Sequence, residues 1–188
     1  MTDFRDYLAC NDVVDWRDPV VRQRAQELAL ADPVDTARNC YQFVRDRISH
    51  SLDIDATQLT CAASEVLREG HGYCYAKSHL LVALLRANGI PAGFDYQRLD
   101  DGEGGLVLHG IVTLCLPEYN WYRVDPRGGK AGANAIFSPP LEQLAWPGDE
   151  PGEENYRVNL SRPVPRVVEA LRQPKSVQQL LPDLPREI

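Results

Sequence analysis

No stretch of this sequence stays apolar for long. The longest uninterrupted run, Leu80-Leu81-Val82-Ala83-Leu84-Leu85, is six residues, where a membrane span needs about 20. Basic runs are also missing, with 20 lysines and arginines set among 27 aspartates and glutamates for a net charge of −7. That field repels a nucleic-acid backbone rather than holding it. Cysteine is sparse and odd in number: the five residues Cys10, Cys40, Cys61, Cys74 and Cys115 are too scattered for a disulfide framework. The charged start Met1-Thr2-Asp3-Phe4-Arg5-Asp6 leads into no apolar stretch, so no secretory signal is expected. Reduced thiols in a cytoplasm are the economical reading. No Asp-x-Asp-x-Asp-Gly calcium loop occurs. Neither a membrane nor a nucleic acid is therefore expected as a partner.

What is present suits one globular unit. The chain has 188 residues, 44% hydrophobic and 25% charged, ordinary values for a domain with one core. A single domain over residues 1–188 is expected, with its core at about 18–130. The remainder, 131–188, is an extension that wraps the core. Nine of the 14 prolines fall after residue 138, which disfavours a second regular core there.

Asp18-Pro19 and Asp32-Pro33 each read as a helix start, a capping carboxylate followed by proline at the first helical position. Val34, Ala37, Tyr41, Val44 and Ile48 recur at spacings of 3 and 4, so that face of the second helix is core. A short helix is expected over 62–68, stopped by Gly70 and Gly72. Another runs from Cys74 to Asn88, where Asn88-Gly89 and Pro91 end it. It is apolar around most of its circumference and reads as a central buried helix. The period then changes to two. Strands are expected over 92–99, 106–116 and 121–125, joined by turns short enough to require antiparallel pairing. Helices first and a strand meander afterwards make the fold class α+β. Val164, Val167, Val168 and Leu171, and then Val177, Leu180 and Leu181, suggest two short helices near the end.

Cys74 stands where two glycines give way to a helix. Free amides and the macrodipole at a helix N-terminus stabilise a thiolate, and the same amides can hold an oxyanion. A thiolate nucleophile needs a base, usually histidine. His109 lies in the strongest strand, and Asp125 ends the strand that pairs with it. A carboxylate there can accept the His109 Nδ1–H and fix the tautomer.

The order Gly70-His71-Gly72-Tyr73-Cys74-Tyr75-Ala76, then Leu108-His109-Gly110, then Trp121-Tyr122-Arg123-Val124-Asp125-Pro126 resembles the transglutaminase-like superfamily. The resemblance spans about residues 34–129 and includes the helix segment Cys40-Tyr41-Gln42-Phe43-Val44-Arg45-Asp46-Arg47-Ile48. It implies a papain-like core, with Cys74 as nucleophile, His109 as base and acid, and Asp125 as orienter. It also implies a peptide, protein or small amide or acyl substrate, with hydrolysis or acyl transfer as the outcome. No cofactor is implied. In size the chain looks like bacterial members of unassigned substrate, and the segment from Phe137-Ser138-Pro139 to Trp146-Pro147 is similar to their extensions. Members of this superfamily use a second oxyanion donor upstream of the nucleophile, for which Gln42, His50 and Gln58 are the polar candidates. Tyr73, Tyr75 and Trp121, with Tyr122, are candidates for the substrate-binding wall. Trp146 and the acidic stretch 149–154 are candidates for a cover over the cleft.

Two other readings compete. A binding module would keep the fold without the reaction. A zinc site would use Cys61, His71, Cys74 and His79, although Cys-x9-His-x2-Cys-x4-His matches no common zinc spacing. No metal is expected on that ground.

Overall fold

The computed structural model describes residues 4–128 and 134–188. The expected core boundary near 130, the end of the resemblance at Gly129 and the first three residues lie outside the described residues.

Both proline-led helices form where expected. α1 (Pro19–Leu28) starts with the Asp18 carboxylate accepting from the Val20 amide. α2 (Pro33–Arg47) starts with Asp32 accepting from Val34 and Asp35. β1 (Ser49–His50), α3 (Ala63–Glu69), β2 (His71–Gly72) and α4 (Cys74–Ala87) follow. Gly70 closes α3 with φ 71°, a left-handed turn that costs glycine little. β1 and β2 pair in parallel, Ser49 opposite His71 and His50 opposite Gly72. This two-residue bridge has no periodicity and is invisible to pattern reading. It carries His50 up to the chain leading into Cys74.

The main sheet contains β3 (Ala92–Asp100), β4 (Leu106–Leu116) and β5 (Asn120–Val124), antiparallel as expected. Two short strands, β6 (Ile136–Ser138) and β7 (Leu141–Gln143), pair with each other. β8 (Glu154–Asn155) joins the main sheet, whose order is β5-β4-β3-β8. α5 (Pro165–Arg172) and α6 (Val177–Leu180) complete the chain, matching the two short helices read from the apolar spacing.

α4 is buried along almost its whole length, from Cys74 to Arg86, because helices pack on one side of it and the sheet on the other. Tyr75 donates its hydroxyl hydrogen bond to the Leu108 carbonyl, and Ser78 Oγ donates to the Gly110 carbonyl at 3.2 Å. Gly110 permits that approach: a Cβ there would stand 2.9 Å from the Tyr75 ring. Residues after β7 cover the sheet elsewhere. Thr113 Oγ1 donates to Asn159 at 2.6 Å, and Val167, Leu171 and Leu180 belong to the same apolar core as α4. No helix among the described residues is long and apolar enough to cross a membrane.

Candidate active site

Cys74 is the first residue of α4. The helix ladder begins with the Lys77 amide donating to the Tyr73 carbonyl at 2.9 Å, so the amides of residues 74–76 lie before that ladder. His109 lines the same cleft as Cys74, and the Cys74 side chain is among the groups that raise the His109 pKa. His109 Nε2 donates to Asp125 Oδ2 at 2.8 Å. The sequence reading assigned that bond to Nδ1. In the structure Nε2 takes the carboxylate instead.

Asp125 has no exposed surface and is held from several directions. Its Oδ2 also accepts from the Ala145 amide at 3.2 Å, and its Oδ1 accepts from the Arg127 amide at 2.8 Å. Burial by itself pushes the Asp125 carboxyl up, but the His109 charge and these donors outweigh it and hold the group below the usual carboxylate range. The converse holds for His109. Burial pushes its pKa down, yet Asp125 and Cys74 raise it to about 10. Trp146 stands edge-on to the His109 ring, with centroids 5.1 Å apart, and lines the cleft.

The wall around this group is only partly the expected one. Tyr73 lines the cleft, and its ring lies 4.9 Å from that of His50. Tyr75 does not line it. One residue further round the helix, its ring turns to β4, where the hydroxyl is spent on Leu108. Trp121 also lies away from the cleft, packed on Tyr7 at 4.7 Å and Phe4 at 6.2 Å. The reason is register: Trp121 pairs with Cys115, at the far end of β4 from His109. Tyr122 is likewise buried, its hydroxyl donating to Leu141 and accepting from the Ser138 amide.

The sequence reading missed two charged groups. Arg127 lines the cleft, and its guanidinium holds the Asp53 carboxylate in two bonds of 2.7 and 2.9 Å. This pair ties the loop after His50 to the segment after Asp125. Lys77, one helical turn after Cys74, is buried and donates to the Ile48 carbonyl at 2.6 Å and the Arg127 carbonyl at 3.4 Å. It clamps the end of α2 to the same segment. A lysine inside an otherwise apolar helix was the available signal. Of the three candidate oxyanion donors, His50 lines the cleft beside Cys74. Its Nδ1 accepts from the Leu52 amide at 3.3 Å, which places the ring proton on Nε2.

The four zinc candidates are dispersed. His71 Nδ1 lies 3.2 Å from Ser51 Oγ, His79 Nδ1 donates to the Cys61 carbonyl at 2.8 Å, and Cys74 lines the cleft with His109. Among the described residues no three His, Cys, Asp or Glu side chains are grouped to hold a metal.

The buried histidines shape the pH dependence of stability. Burial pushes His50 down to about 2 and His79 down to about 4 from an ordinary 6.5. The unfolded chain therefore takes up two protons that the fold refuses as pH falls below 6.5. Each costs about 1.4 kcal/mol per pH unit, His79 down to about pH 4 and His50 further. His109 acts in the opposite direction. Its raised pKa stabilises fully below 6.5, and that contribution is lost as pH rises toward 10. Stability is expected to peak near pH 6.5. Urea midpoints measured across pH check this, with His79→Gln removing about half of the acid slope. An unchanged slope in that variant would contradict the assignment.

The model of the transglutaminase-like superfamily matches residues 22–126 of this chain. Among solved structures, a candidate cysteine protease from Cytophaga hutchinsonii superposes with a TM-score of 0.54 at 16% identity, over 64% of this chain and 40% of its own. The periplasmic domain of TgpA from Pseudomonas aeruginosa gives 0.48 at 23% identity, over 66% of this chain and 48% of its own. The chain thus spans less than half the length of either. The first likeness shows the shared fold. No curated protein sequence matches the chain.

Proposed function

The chain belongs to the transglutaminase-like superfamily, and from that premise we propose that it is a cysteine enzyme acting on amide or other acyl carbonyls. The Cys74 sulfur attacks the carbonyl carbon and forms a C–S bond, sending the carbonyl electrons onto oxygen. Amides at the start of α4 and the Nε2–H of His50 are the donors available to that oxyanion. The intermediate collapses, the C–N bond breaks, and the His109 imidazolium gives its proton to the leaving nitrogen. His109 then takes a proton from the acceptor, water or an amine, as it attacks the thioester. Asp125 keeps the ring oriented throughout. A cytoplasmic setting goes with this reading, since a nucleophilic thiol stays reduced there.

The observation that carries the proposal is the 2.8 Å bond from His109 to a fully buried Asp125, made at a cleft that Cys74 lines as well. Each of the three can occur in a core for packing reasons. A histidine bonded to a buried carboxylate, at the cleft of a thiol that starts a helix, supports proton transfer at that sulfur.

The test is to mix the protein with p-nitrophenyl acetate, quench in acid and locate the acyl group by mass spectrometry. One acetyl group on Cys74, absent in Cys74→Ala, is the expected result. Failure of Cys74 to acylate would overturn the reading in favour of a binding module. Repeating the turnover with methylamine decides the acceptor: N-methylacetamide as product means transfer, acetate alone means hydrolysis.

A further inference from the structure

The cleft beside Cys74 has a volume of about 700 Å³, within the usual range for small-ligand sites. One of its walls comes from the far end of the chain, through Leu181, Pro182, Leu184 and Arg186. Leu99, Leu106 and Leu108 of β3 and β4 line the cleft as well. This tail is held in place rather than draped. The Pro185 carbonyl accepts from the Leu108 amide at 2.7 Å, next in sequence to His109. That amide is accessible because β5 pairs only with residues 112–116 of β4. The first half of β4 therefore has an open edge, which the tail fills. Upstream, the Val177 amide donates to the Thr57 carbonyl at 2.9 Å, and Leu180 is fully buried.

Two large apolar side chains at this cleft are left exposed. Leu52 and Leu181 each show 40% of their surface. Exposed leucines lining a concave site that contains the reactive groups are placed to lose water when an apolar group enters.

We propose that tail residues 181–186 form part of the acyl subsite, and that the subsite takes an apolar acyl group, an aliphatic or aromatic side chain attached to the carbonyl that Cys74 attacks. This rests on the Cys74 reading above. The acyl chain lies against Leu181 and Leu184 of the tail and Leu106 and Leu108 of β4. The specificity of the nucleophile is thus set by residues about a hundred positions away in sequence.

The test uses the full chain and p-nitrophenyl esters of acetate, butyrate and hexanoate. In each turnover the ester C–O bond breaks, nitrophenolate leaves, the acyl group passes to Cys74 and water releases it as the carboxylic acid. Values of kcat/KM are expected to rise about threefold per added methylene, the yield of burying most of each group. Leu181→Glu, a change at an exposed position, is expected to abolish that rise. Leu141→Glu, at a residue 73% exposed and outside the cleft, is expected to preserve it. A flat series in the unmodified protein, with Cys74 still acetylated, would overturn the subsite and leave the nucleophile standing. A rise that survives Leu181→Glu would overturn the role of the tail. Absence of acylation by all three esters would instead refute the underlying cysteine-enzyme reading.

Discussion

In a His109→Ala variant, alkylation of Cys74 by iodoacetamide at pH 6 is expected to slow by at least about tenfold. His109 stays protonated up to about pH 10 because Asp125 and the Cys74 side chain outweigh its burial. At pH 6 the intact protein therefore keeps a cation beside the sulfur, and the variant does not. Turnover of an acyl substrate is expected to fall by about 10³-fold or more in the same variant and to vanish in Cys74→Ala. The other cysteines supply internal controls, read by mass spectrometry in the same digest. Burial pushes the Cys40 thiol up to about 12 and the Cys61 thiol up to about 11, so both are expected to stay unlabelled in the folded protein. Partly exposed Cys10 is expected to label slowly and independently of His109. Cys74 reacting no faster than Cys10 in the unmodified protein would refute an activated nucleophile.

The second large effect belongs to Asp125. Removing its carboxylate in Asp125→Ala leaves the buried His109 cation without its counter-charge and takes the acceptor from the Arg127 and Ala145 amides. Breaking one side of a buried charged pair costs about 3–5 kcal/mol, and urea unfolding is expected to show a loss of that order. Asp125→Asn keeps the side-chain shape but has one acceptor oxygen where Asp125 uses two, so its NH2 group meets either the Arg127 amide or the His109 and Ala145 donors. It is expected to lose stability as well, by less than Asp125→Ala because one acceptor survives. With the negative charge gone, turnover is expected to fall by about 10²- to 10⁴-fold. An Asp125→Ala protein as stable as the unmodified chain would show that the carboxylate does not hold this corner together.

The linear chain was most informative where a local rule acts alone. Asp-Pro pairs start α1 and α2 because a carboxylate caps free amides and proline suits the first helical turn, whatever the surroundings. The apolar run after Cys74 forms a buried helix because its polar surface is too small for it to sit anywhere else. Alternation and short turns made three antiparallel strands readable. Cys74, His109 and Asp125 were legible as candidates because each sits at a recognisable point on such an element.

Tertiary structure decided what depends on register and on contacts distant in sequence. It gave Asp125 to Nε2 of His109 rather than Nδ1, since the orientation of a ring is set by the packing around its side chain and not by its place in a strand. It removed Tyr75 and Trp121 from the cleft, one by a single step of helical rotation and the other by its place opposite Cys115. It brought in Arg127 with Asp53, Lys77 and the tail from Leu181. None of these has a periodic signature, because each is selected by a partner 29 or more residues away or by an edge that another strand leaves unpaired. Sequence alone determined which residues can do chemistry here. The packing of distant segments decided which of them share a cleft, because proximity in space is a property of the whole core and not of any short stretch within it.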